Sequence, residues 1–152
     1  MEDDRDAVAR QIGREPRAFR RVAVRCPFGR PAVAEQDPFD RSGAPFPTSF
    51  WLTCPWLVAA VSRLEAGGGV ERWSREAATD PVLVESLDRA NAEQRRLRPE
   101  LSLGIGGARA GAGSLKCLHA HVAFALARPG YELGDRIVGE LEPLWPTSCC
   151  TK

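Results

Sequence analysis

The run Ser114-Leu-Lys-Cys-Leu-His-Ala-His-Val122 holds both histidines of the chain and one of its five cysteines. Imidazole and thiolate are the side chains best suited to bind zinc, or to move protons and attack electrophiles near neutral pH. Read as a helix from Leu115 to Ala127 capped by Ser114, the segment puts Leu115, Leu118, Val122 and Leu126 on one apolar stripe. His119 falls at the edge of that stripe. Cys117 and His121, four residues apart, share the opposite face with Phe124 and can hold one ligand between them. His119 and His121 then point apart, and only a strand would align Cys117, His119 and His121 on one face. The competing reading is packing, because a helical cysteine or a stripe-edge histidine is often simply buried.

Cys54 is the second candidate. It follows an expected strand and precedes Pro55 at the start of an expected helix, where N–H groups and the helix dipole stabilise a thiolate. It reads equally as a compact residue under Trp51 and Trp56. Cys26-Pro27 closes another strand, and Cys149 and Cys150 sit near the C-terminus. Cys54, Cys117 and His121, with Cys26 or Cys149 as the fourth ligand, complete a tetrahedral zinc set, although the chain lacks the CxxC and HxxxH pairs that usually announce one. In the alternative thiol chemistry Cys54 is the nucleophile, His121 or His119 the base, and Arg63 an anchor for an anionic substrate. A solvated arginine is the plainer reading of Arg63, and Glu65 reads as an ion-pair partner of a nearby arginine.

The elements that must position these side chains follow from patterning. Glu2 to Ile12 is an expected helix stopped by Gly13. Arg20 to Arg25 and Ala32 to Gln36 read as a hairpin around Cys26-Pro-Phe-Gly29, and Thr48 to Thr53 as a third strand beyond a proline-rich loop at 37–47. Pro55 opens a helix to Ala66 on the stripe Leu57, Ala60, Val61, Leu64, ended by glycines. Val70 to Leu97 is helical with a break where Asp80-Pro81 restarts it. Residues 101–113 form a glycine-rich loop that lacks the Walker ending and is expected to be mobile, a cover for the Cys/His site. A last helix runs from Gly134 to Leu141. Strands followed by helices argue an α+β fold, with a small antiparallel sheet from the N-terminal third covered by several helices. The expected organisation is a single domain, 1–152, with its core at about 15–142 and a flexible tail at 143–152.

The bulk numbers fit that organisation. The chain has 152 residues, 43% hydrophobic and 27% charged, with a net charge of +1. That balance provides no global field toward nucleic acid or acidic lipid. Nineteen of the 21 basic residues are arginine, a bias expected of a high-GC bacterial genome. No apolar run reaches the ~18 residues of a membrane span, and the acidic start is unlike a signal peptide. These features imply a cytoplasmic protein with reduced thiols. A non-enzymatic alternative rests on Arg14, Arg17, Arg20, Arg21, Arg25 and Arg30, with Phe19 and Phe28 interleaved. That face would bind an RNA or an acidic protein partner, with Arg20, Arg21 and Arg25 at its centre, whereas the plainer reading is a solvated strand.

Longer stretches resemble a known family. Arg25-Cys-Pro-Phe-Gly-Arg-Pro-Ala-Val33, Pro45-Phe-Pro-Thr-Ser-Phe-Trp-Leu-Thr-Cys-Pro55, Ser62-Arg-Leu-Glu-Ala66 and Lys116-Cys-Leu-His-Ala-His121 together resemble the DUF501 family, small actinobacterial proteins of unknown function. The likeness runs from about Val22 to Leu141. It implies a pattern centred on Cys26, Cys54, Cys117 and His119, with a cysteine near the C-terminus met here by Cys149 or Cys150. It implies no activity, only an association by gene neighbourhood with cell division and polyphosphate metabolism. Where relatives carry Asn-Pro before the last helix, this chain has Tyr131-Glu-Leu-Gly134.

Overall fold

Among the described residues, three antiparallel strands from the N-terminal third form one sheet and six α-helices accompany it, which makes the fold α+β. The computed structural model describes residues 2–109 and 113–150. Helix α1 (Asp4–Ile12) starts where the Asp3 carboxylate accepts from the Asp6 N–H, and ends at Gly13, whose φ of 74° a side chain would strain. Strands β1 (Phe19–Arg25) and β2 (Pro31–Gln36) make the expected hairpin. β3 (Phe50–Leu52) pairs with the other edge of β2, giving the order β1-β2-β3.

Helix α2 (Pro55–Ala66) has Cys54 at its N-cap and proline in its first turn, and it buries Leu57 and Val61. α3 (Gly69–Thr79) and α4 (Pro81–Leu97) are separated as expected at Asp80, which accepts from the Val82 N–H at 3.0 Å. α6 (Glu132–Gly139) packs on α5 (Leu118–Ala127). Their approach requires glycine at position 134, because a Cβ there would lie 2.6 Å from the Ala125 Cβ.

α5 is the centre of the molecule. Leu118, Ala120, His121, Val122, Ala123, Phe124 and Ala125 are all buried, so it is apolar around its whole circumference rather than along one stripe. Its Phe124 ring packs edge-to-face on Phe50 of β3 and on Tyr131, with centroids 5.7 and 5.8 Å apart. The remaining core draws on Val33, Leu52, Leu57, Val61, Leu83 and Ile137.

The expected start of α5 needs correction. The helix expected from Leu115 starts at Leu118, three residues later. Lys116 has a φ of +67°, a left-handed conformation that no α-helix contains. The Ser114 hydroxyl accepts the Lys116 N–H in a local turn instead of capping the helix. The C-terminal segment also folds back: Leu144 and Trp145 pack against the core, and the Trp56 indole donates to the Pro143 carbonyl at 3.4 Å. Within the glycine-rich stretch at 101–113, Ile105 is buried and its N–H donates to the Asn91 side chain. Residues 110–112 of that loop lie outside the described residues.

Candidate metal centre

The turn that delays α5 builds the site. Cys117 has extended backbone, with a φ of −150°, and occupies the N-cap of α5, while His119 lies in its first turn. A side chain just before a helix and one just inside it can converge. The Cys117 Sγ lies 3.7 Å from the His119 Nδ1.

The third member comes from α2. Val58, Ser62 and Glu65 recur at i, i+4 and i+7 and share the face toward the start of α5. One Glu65 carboxylate oxygen accepts the Leu118 N–H at 2.8 Å and lies 3.3 Å from the His119 Nδ1. Glu65 therefore caps α5 from a neighbouring helix, a task the Cys117 side chain does not perform. On the other side of the ring, the His119 Nε2 lies 3.3 Å from the Val58 carbonyl and 3.2 Å from the Ser62 hydroxyl. A proton on Nε2 satisfies that carbonyl and leaves Nδ1 aimed at Cys117 and Glu65. All three side chains are half-buried, and their donor atoms lie within 4.8 Å of one another. Contact with Cys117, and then the Glu65 charge, raise the His119 pKa above its ordinary value against the opposing effect of burial.

His121 is placed elsewhere. Its Nδ1 is 2.7 Å from the Tyr131 hydroxyl and its Nε2 is 3.2 Å from the Leu115 carbonyl, so both ring nitrogens are engaged in the core. The carbonyl accepts from Nε2–H, which leaves Nδ1 to accept from Tyr131. Burial lowers the His121 pKa to about 4. The expected pairing of Cys117 with His121 is thus replaced by Cys117 with His119, because the helix does not yet exist at residue 117. His121 instead supports the site: the Leu115 carbonyl that it holds also accepts the Cys117 N–H at 2.8 Å.

The other expected ligands and catalytic residues lie apart from this cluster. Among the described residues, the only group of metal-capable side chains is Glu65, Cys117 and His119, without Cys26, Cys54, His121 or Cys149. Cys26 is half-buried in the β1–β2 turn, its N–H bonded to the Arg30 carbonyl. Cys149 is half-buried near the C-terminus. Cys54 does occupy a helix N-cap, but burial outweighs the N–H groups of Trp56 and Leu57 and pushes its thiol up to about 11. Its sulfur lies against that of Cys150, and no hydrogen bond joins it to either histidine. Arg63 is exposed on α2, beside Trp56, Leu64 and Glu140. The glycine-rich loop borders a cleft of about 320 Å³ that reaches His121, and none of Glu65, Cys117 and His119 lines it.

Each arginine of the expected basic face has a partner within the fold. Arg21 forks onto Glu35, and Arg20 lies 3.7 Å from Glu35 and 3.8 Å from Asp37. Arg25 pairs with Asp4, Arg30 with Glu2 and Arg17 with Asp40, while Arg14 stacks on Trp51.

Sequence reasoning gave Glu65 to a nearby arginine, whereas its partners are the Leu118 N–H and His119, and it assigned Ser62 no role. The available signal was the three-residue spacing of Ser62 and Glu65 on the same helix face as Val58, inside the stretch Ser62–Ala66.

An α+β protein carrying a half-buried Glu/Cys/His cluster is the class these observations define. The family model described as a protein of unknown function (DUF501) matches residues 22–103, more than half of the chain, and the chain belongs to that family. The matched segment contains Glu65 and stops before Cys117. No curated protein and no solved structure matches the chain.

Proposed function

We propose that this protein binds a metal ion through Glu65, Cys117 and His119, and that the ion is zinc. One observation carries the reading: sulfur, nitrogen and oxygen donors from two helices that meet end to face lie within 4.8 Å of one another. Thiolate, imidazole and carboxylate are the zinc donors of proteins, and three of them leave a tetrahedral position open for water or substrate. The Nε2 hydrogen bond to Val58 adds support, because metal-bound imidazoles characteristically donate their other N–H to a carbonyl or carboxylate. Zinc bound there would acidify a water molecule or polarise a substrate carbonyl. The chain's own residues supply the frame: Glu65 holds the end of α5, and Val58 and Ser62 fix the imidazole plane.

The test is metal content after purification without an affinity tag or chelator. About one zinc per chain is expected, as for a single site, and Cys117→Ser and His119→Ala should each lose it while retaining native circular dichroism. Cys26→Ser should keep it. A folded protein that carries no zinc and takes up none on titration overturns the reading.

A second reading has its own support. Cys117 sits both at a helix N-cap and 3.7 Å from an imidazole, close enough for His119 to take its proton in a nucleophilic step. Metal-free protein distinguishes the two, since rapid alkylation of Cys117 that falls in His119→Ala supports the thiol chemistry.

A further inference from the structure

Away from the Glu/Cys/His cluster, two cysteines 96 positions apart in sequence meet at the start of α2. The Cys54 and Cys150 sulfurs are 3.9 Å apart. Cys54 is 3% exposed, beneath the returning C-terminal segment, whereas Cys150 is exposed. Leu144 and Trp145 pack on the core, and Trp56, two residues from Cys54, bonds to Pro143. The segment that delivers Cys150 is therefore anchored at several points, which keeps the two thiols at high effective concentration.

We infer that Cys54 and Cys150 form an oxidative modification site, in which a peroxide converts the thiol pair into a disulfide that ties the C-terminal segment to the N-terminus of α2. Disulfide bonding requires the sulfurs to close to about 2.05 Å, which a side-chain rotation of exposed Cys150 supplies. The reaction begins at Cys150 because a peroxide reaches that sulfur first. The Cys150 thiolate attacks one peroxide oxygen, the O–O bond breaks, and hydroxide leaves, giving a sulfenic acid. The Cys54 sulfur, having lost its proton, then attacks the sulfenic sulfur. The S–S bond forms and the S–O bond breaks with loss of water. Two thiols supply two electrons to one peroxide. Exchange with a small thiol reverses the product. Burial keeps Cys54 protonated in the resting protein, so it serves as the resolving partner, protected until Cys150 has been oxidised.

The experiment treats reduced full-length protein with hydrogen peroxide, blocks remaining thiols by alkylation, and maps peptides without reductant. The expected product joins the Cys54 peptide to the Cys150 peptide with loss of two hydrogens and disappears on reduction. It forms in Cys149→Ser and in Cys117→Ser, and is abolished in Cys150→Ser. Because Cys117→Ser leaves it intact, its outcome is separate from that of the metal site. Cys54 remaining reduced while Cys150 passes on to a sulfinic acid overturns the inference, as does Cys54 joined to Cys149. Zinc that survives Cys117→Ser but is lost in both Cys54→Ser and Cys150→Ser also overturns it, since the pair would then be metal ligands.

Discussion

The two histidines, two residues apart, occupy opposite electrostatic settings. His121 is buried and neutral, with a folded pKa of about 4 against an ordinary 6.5. Between those values the unfolded chain binds a proton that the native chain refuses, so this residue's contribution to stability falls as pH drops from about 6.5 to about 4. The full loss is about 3 kcal/mol, readable as a shift in denaturant midpoint across that pH range. His119 has the opposite sign. Its folded pKa is raised, so the stability its imidazolium contributes is complete below the ordinary value and disappears as pH rises through the folded one. Imidazole proton resonances in metal-free protein should therefore titrate in two separate steps, His119 above 6.5 and His121 below it. Tyr131→Phe removes the donor to the His121 Nδ1 and leaves a buried acceptor unpaired, which should cost about 1–3 kcal/mol in unfolding free energy.

At the scale of elements, the start of α5 depends on α2. Glu65 accepts the Leu118 N–H, so Glu65→Ala should weaken the helix start by about 1 kcal/mol, as loss of an N-cap does, and should also lower metal affinity. Glu65→Gln retains a carbonyl acceptor while removing the charge. It should recover most of the stability but not the metal, a comparison read by thermal melts and zinc titration. The α5–α6 contact is tighter still. Gly134→Ala would place a methyl 2.6 Å from the Ala125 Cβ and from the Tyr131 ring. Backbone must move to admit it, at a cost of about 1–3 kcal/mol, and because Tyr131 holds His121, the His121 resonance should shift with the lowered melting temperature.

For the whole molecule, many arginines are engaged by carboxylates of neighbouring elements, among them Arg72 with Glu140, Arg89 with Glu132 and Arg136 with Asp80. In the N-terminal third, Arg25 pairs with Asp4 of α1, Arg20 and Arg21 with Glu35 of β2, Arg17 with Asp40 beyond it and Arg30 with Glu2, while Arg14 stacks on Trp51. With a net charge of +1, the protein should show no retention on a heparin column and no gel shift with RNA at physiological salt. Retention that falls in Arg20→Ala and Arg21→Ala would reveal a basic surface that these pairs leave open. No helix among the described residues is long and apolar enough to cross a membrane. The α+β class, the hairpin around Cys26-Pro-Phe-Gly29 and the Pro55 and Pro81 helix starts were determined by the sequence itself. Periodicity, proline and capping residues act over a few neighbouring positions and can be read there. Tertiary structure decided which histidine meets Cys117. The left-handed turn at Lys116 is held by the Ser114 hydroxyl, by Ser74 on α3 and by His121 inside the core, and no local propensity specifies it. It also recruited Glu65 across 53 positions to the Leu118 N–H and laid Cys150 against Cys54. Such pairings arise only when burying α5 on the sheet fixes where the ends of other elements must fall.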